Sequence, residues 1–185
     1  IKLYKMIKIL VTGDFCPINR NESLIDNCDF SNLFNDFLPL ISKSDLSITN
    51  LECPLIDKGD KIKKTGPNLK AKTNAIKALV YADFNLVTLA NNHIMDYGSK
   101  GLKSTIQTCK KHSIDTVGAG ENHSQAKKTF YKIIDNLKIA VINFCENEWS
   151  TTQNELPGTN PLNPISNHNQ IKEAKLNADY VFVIV

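Results

Sequence analysis

Three short apolar runs in this chain each stop at residues that carry chemistry, and that repeated pattern restricts the folds open to it. Residues 7–12 run into Gly13-Asp14, residues 46–49 into Asn50-Leu51-Glu52, and residues 86–90 into Asn91-Asn92-His93. A short apolar run closed by a turn former reads as a buried strand. In open α/β sheets, the space just past the carboxyl ends of the strands is the ligand crevice. Here those ends carry oxygen and nitrogen donors, two of them carboxylates, which suit hard divalent cations. Each residue also has a plainer reading. Asp14 fits a turn or a helix cap, Glu52 an exposed loop, Asn91 and Asn92 tight turns, and His93 a structural role. Their coincidence at three strand ends is what points to a site.

Helical periodicity fills the gaps. Ser31 is expected to cap a helix with Leu33, Phe34, Phe37, Leu38 and Ile41 on one face. Thr73 is expected to cap a second, bearing Ala75, Ile76, Leu79 and Val80, and Ser99 to start a third, bearing Leu102, Ile106 and Cys109. Residues 57–72, rich in Lys, Gly and Pro, read as a loop. Residues 114–117 form a short strand ending in Gly118-Ala119-Gly120. Asp135-Asn136 between two apolar runs signals a hairpin, so part of the sheet should be antiparallel. A polar loop over 146–166, a helix over 167–176 and a strand over 180–185 complete the chain. The alternation predicts an α/β sandwich with a mixed sheet, as a single domain over residues 1–185.

Composition narrows the function classes. The net charge of +3 and the absence of a dense basic run with interleaved aromatics argue against nucleic acid. The Lys63-Lys64 and Lys110-Lys111 pairs read as solvated surface. No apolar run approaches the ~20 residues of a membrane helix, and no secretory signal is visible. The expected location is cytoplasmic as the chain stands, or cell-surface or membrane-anchored if a leader precedes Ile1. Five cysteines without a C-x-x-C argue against a disulfide framework or a zinc knuckle and for reduced thiols.

Residues 89–98, LANNHIMDYG, resemble the A-N-N-H-x-x-D-x-G signature of the capsule-synthesis protein CapA family. That family is linked to poly-γ-glutamate capsules and resembles calcineurin-type metallophosphoesterases. Gly13-Asp14 is similar to its opening G-D, residues 50–55 to its N-L-E-x-P-L, and Gly118-Ala119-Gly120-Glu121-Asn122 with Ala126 to its G-A-G-x-N…A. The resemblance implies a layered metallophosphoesterase-like sandwich and a metal-dependent phosphoesterase of capsule biosynthesis. Asp14 and Glu52 would ligate metal, with Glu52 bridging two divalent ions (Mn, Fe, Zn or Mg), and Asn92 would ligate the second ion. His93 would protonate the leaving group, and Asp96 would either orient His93 or organise the turn and cap the following helix. Arg20, Asn50 and Asn91 would face the substrate, a phosphoester or an anionic polymer; capsule-synthesis membrane proteins are possible partners. A non-catalytic accessory protein that binds such a polymer, or the capsule ligase, is the alternative. Related phosphoesterases place a histidine two residues after the first Asp, where this chain has Cys16. His112, His123 and His168 match no motif and are expected on the surface. In the family, the strand corresponding to 180–185 leads into an H-x-G segment, so the chain is expected to be truncated at its C-terminal end, with weak metal binding on its own.

Overall fold

A computed structural model describes residues 6–185. Strands β1 (Ile9–Phe15), β2 (Leu46–Leu51), β3 (Leu86–Thr88) and β4 (Asp115–Val117) form one parallel sheet in that order. Short helices α1 (Glu22–Asp26), α2 (Phe30–Phe34) and α3 (Leu38–Ser42) link β1 to β2; α4 (Ile76–Tyr81) links β2 to β3; α5 (Gly98–Lys111) links β3 to β4. A two-residue strand β5 (Ala119–Gly120) follows, then α6 (His123–Ala126). The hairpin β6 (Phe130–Ile134) and β7 (Leu137–Asn143) pairs antiparallel, and β9 (Tyr180–Ile184) adds to β7 in parallel. Between them lie β8 (Gly158–Thr159), which pairs with β5, and α7 (Pro164–Asn177). The mixed pairing expected from the hairpin therefore forms a second sheet of its own.

Three apolar clusters define the layers. Leu51, Val87 and Leu89 pack against Ile41, Ile76, Leu79, Leu102 and Cys109 of the helices. Leu46, Ile48, Leu86 and Val117 meet Ile139 and Val141 of the second sheet. Ala140 and Ile142, one residue out of phase, meet Ala174 of α7. The order is helices, parallel sheet, mixed sheet, helix. β2 lies between two strands with both faces covered, so its first four residues are all buried rather than alternating.

Local chemistry explains several boundaries. Asp135 and Asn136 both adopt positive φ, 47° and 71°, as a two-residue hairpin turn requires. Asn163 caps α7 by accepting from Ser166 N at 2.9 Å, with Pro164 in the first turn, so this helix starts before residue 167. The helix expected after Ser31 is broken instead: Asn35 takes φ 48°, a 3-10 turn follows, and Phe37 is left exposed. Thr73 does not cap α4; its N–H and hydroxyl both donate to Asp57, and Ala78 rather than Val80 is buried. Ser99 lies inside α5, one residue after it begins.

One irregularity positions the site. Ile9 stands opposite Leu46 and Val11 opposite Ile48, but Asp14 stands opposite Asn50. β1 thus uses three residues where β2 uses two. Such a bulge re-aims the side chains beyond it. Without it, Asp14 would stand opposite Leu51, whose side chain belongs to the helix-side core.

Candidate metal centre

The carboxyl ends of both sheets open on a cleft of about 550 Å³ lined by Asp14, Asn50, Glu52, Thr88, Asn91 and Asn92, with Asn143 and Glu146 opposite. The side chain of Asn50 organises its floor. Its Nδ2 donates to Asp14 Oδ1 at 2.9 Å and to Glu52 Oε2 at 2.5 Å. Its Oδ1 accepts from Thr88 Oγ1 and from Asn91 Nδ2, both at 3.2 Å. Asn91 is itself fixed by the backbone: its Nδ2 also donates to Leu51 O at 2.9 Å, and its Oδ1 accepts from the N–H groups of His93 and Ile94. Every polar atom of the Asn91 side chain is engaged internally. Asn50 and Asn91 both line the cleft, as expected of residues that face a substrate, and their side chains also hold the two carboxylates and the turn in place.

Glu52 is half-buried. Burial first, and then the negative charge of Asp14, push its carboxyl above the usual range, against the pull of the Asn50 N–H. Nearby, the Cys53 thiol hydrogen-bonds Cys16 and holds the Cys16 thiol below its usual range, while Cys53 itself is pushed up. Cys16 does not line the cleft.

His93 stands beside the cleft rather than among its lining residues. Its Nδ1 lies 2.8 Å from Asp96 Oδ2. An ionised carboxylate can only accept, so the proton sits on Nδ1, which leaves Nε2 as the reactive nitrogen. Asp96 does not cap α5, whose first turn has no side-chain cap. Its carboxylate orients His93, accepts from Leu69 N at 2.6 Å and pairs with Lys64. Lys63 is exposed as expected, but the Lys64 side chain is only 2% exposed, contrary to the solvated reading of that pair. Arg20 is not brought to the cleft. It is exposed in the 3-10 turn Asn19–Asn21. Of the other histidines, His168 is exposed, and His112 and His123 are half-buried.

Two contributors escaped sequence reasoning. Trp149 donates from Nε1 to Asn92 O at 2.8 Å, and Lys64 Nζ lies 4.9 Å from its ring centroid. Asn143, at the end of β7, accepts from Ala90 N at 2.7 Å and donates to Ile184 O. The position of Asn143 at the end of an apolar strand repeats the pattern of the other three strand ends and was the signal available for it. Gly118 leaves it room: its φ is +95°, and a Cβ there would overlap Asn143 Oδ1 and press on Ala90 Cβ at 3.0 Å. Gly118→Ala should destabilise the protein by about 2–5 kcal/mol, from backbone strain and overpacking together. Urea denaturation checks this, and an unchanged midpoint would refute the account of that turn.

The donor set can be weighed against a metal. Asp14 and Glu52 converge on the side-chain NH2 group of Asn50, so a point between the two carboxylates favours positive charge. Four carboxylates line the cleft (Asp14, Glu52, Glu146 and Glu148), with no lysine or arginine among the lining residues. Among the described residues, however, no three His, Cys, Asp or Glu side chains are grouped closely enough to hold a metal by themselves. Asp14, Glu52 and the side-chain oxygen of Asn92 are donors that suit a hard, oxygen-ligated divalent cation completed by water.

The layered sheets and the position of the cleft define a metallophosphoesterase-like fold. The NAD nucleotidase NadN of Haemophilus influenzae superposes with a TM-score of 0.51 at 18% identity, over 83% of this chain and 27% of that one. A putative 5′-nucleotidase from Staphylococcus aureus gives 0.50 at 16% identity, over 96% and 36%. At these identities the likeness concerns the fold alone. The sequence matches the family described as "Bacterial capsule synthesis protein PGA_cap" over residues 8–185, and the chain belongs to that family. It is 31% identical to the capsule biosynthesis protein CapA of Bacillus anthracis over 186 aligned positions, 96% of this chain and 45% of the relative. It is also 31% identical to the PGA biosynthesis protein CapA of Bacillus subtilis (strain 168), over 92% of this chain and 46% of the relative. The chain thus spans about half the length of these relatives. No helix among the described residues is long and apolar enough to cross a membrane.

Proposed function

We propose that this chain carries the metal-binding half of a phosphoesterase centre that serves capsule biosynthesis, with poly-γ-glutamate as the polymer concerned. One observation carries the reading: carboxylates from two strand ends converge on one side-chain amide group, the NH2 of Asn50, in a cleft without a cationic side chain. A polyanion placed there alone would meet four carboxylates, which disfavours direct binding of the polymer at this cleft.

Asp14 and Glu52 would hold the cation, with the side-chain oxygen of Asn92 as a further donor. A bound divalent ion supplies Lewis acidity and an activated water. Asn50 keeps the two carboxylates in register, and Asn91 holds Asn50 and the turn. Asp96 keeps the His93 proton on Nδ1, so the protonated ring presents Nε2–H to the leaving group. Trp149 fixes the Asn92 main chain, which limits how far His93 can drift from the cleft.

The test is manganese-dependent hydrolysis of a generic phosphodiester by the full-length protein. Activity should appear with metal and vanish in both Asp14→Ala and His93→Ala. Hydrolysis that persists in both variants, or tight polyglutamate binding with no hydrolysis, would overturn the reading.

A further inference from the structure

Residues 57–72 do not form a free loop. Their central part is fastened to Asp96 from several sides. Ile62 N donates to Asp96 O at 2.9 Å, Asn68 Nδ2 to the same oxygen at 3.3 Å, and Leu69 N to Asp96 Oδ2 at 2.6 Å. From within this wrap, Lys64 reaches inward. Its ammonium pairs with Asp96 Oδ1, and both side chains are withdrawn from water, at 2% and 0% exposed. The ammonium also lies 4.9 Å from the ring centroid of Trp149, which arrives from a different loop and donates to Asn92 O. Two loops distant in sequence thus meet on the Asn92-His93 step.

We propose that Lys64 is a positioning residue for His93, acting through Asp96. The inference rests on the reading of His93 as the proton donor. Asp96 has two carboxylate oxygens, and only Oδ2 contacts His93. A carboxylate with one occupied oxygen can rotate about its terminal bond. With Lys64 on Oδ1 and Leu69 N on Oδ2, the carboxylate plane is held from both ends, and Oδ2 stays aimed at His93 Nδ1. Lys64 Nζ also lies 3.2 Å from His93 Nδ1, but both are donors once the proton is on Nδ1, so this is a contact and not a second hydrogen bond. Lys64 bonds the carboxylate and not the histidine, so its hold on the ring's orientation runs through Asp96. The Trp149 ring, its centroid 4.9 Å from Nζ, adds a cation–π contact to the ammonium.

A double-mutant cycle in the full-length protein tests this, with two readouts. The first is the downfield proton resonance of His93 Nδ1–H in NMR, which a purely structural lysine would leave in place. The second is kcat for phosphodiester hydrolysis. Lys64→Met should weaken or lose the resonance and lower kcat roughly ten- to hundredfold, a part of the whole general-acid contribution, with KM little changed. Lys64→Arg should restore both. In the Asp96→Asn background, Lys64→Met should add nothing further. That double variant leaves no buried charge unpaired, so it remains informative if the single Lys64→Met folds poorly. Additive effects in the cycle, or a wild-type resonance in Lys64→Met, would overturn the proposal. Failure of the underlying reading looks different: His93→Asn would then leave turnover unchanged, whatever the Lys64 variants do to the resonance.

Discussion

Glu52→Gln should lower manganese affinity in the full-length protein by more than about 100-fold, which is the upper end for losing even an outer-shell partner. The substitution keeps shape and one hydrogen bond. A glutamine oxygen can still accept from Asn50 Nδ2, as Glu52 Oε2 does at 2.5 Å. What disappears is charge. Glu52 sits half-buried beside Asp14, where burial and that neighbour already oppose ionisation. A cation between them relieves both, and a neutral amide leaves Asp14 to hold it alone. Isothermal titration with manganese is the measurement. Affinity within a few-fold of wild type would remove Glu52 from the ligand set and, with it, the proposed centre.

His93→Asn should separate chemistry from binding. Turnover should fall by about 10²–10⁴, the usual contribution of a positioned acid, while manganese affinity stays within about twofold. The structure explains why the variant should fold. Asp96 would lose one partner but keep Leu69 N and Lys64, so no buried carboxylate is stranded. The turn is held by Asn91 through the backbone N–H of residue 93, which asparagine retains. Steady-state kinetics on the phosphodiester, beside a metal titration, decide it. Equal loss of metal and rate would make His93 a structural or ligating residue instead of the proton donor.

The strand ends were legible because their chemistry is local. An apolar run that stops near Asp14, Glu52 or Asn92 announces a strand and its mouth, although β1 continues through Asp14 to Phe15 and β3 already ends at Thr88. The hairpin at Asp135-Asn136 is written in two residues that tolerate positive φ. Helix caps were less legible. Asn163 caps α7 as its residue type suggests, but Ser31 and Ser99 lie inside α2 and α5, and Thr73 precedes α4 without capping it. Thr73 is drawn away by Asp57, a partner sixteen positions earlier.

By itself, then, the sequence determined the order of elements, the family, and the residue types gathered at the carboxyl edge, since those depend on patterns within a few residues. Three matters were left to the tertiary structure. Which way Asp14 faces depends on the extra residue in β1, and a bulge shows only against the register of a neighbouring strand. Whether Asn50 and Asn91 meet ligand or each other depends on Thr88 and Leu51, which come from adjacent strands. Lys64 reads as one half of a surface pair because lysine is solvated by default. It is buried only because Asp96 and Trp149, 32 and 85 positions further along, converge to offset the loss of water.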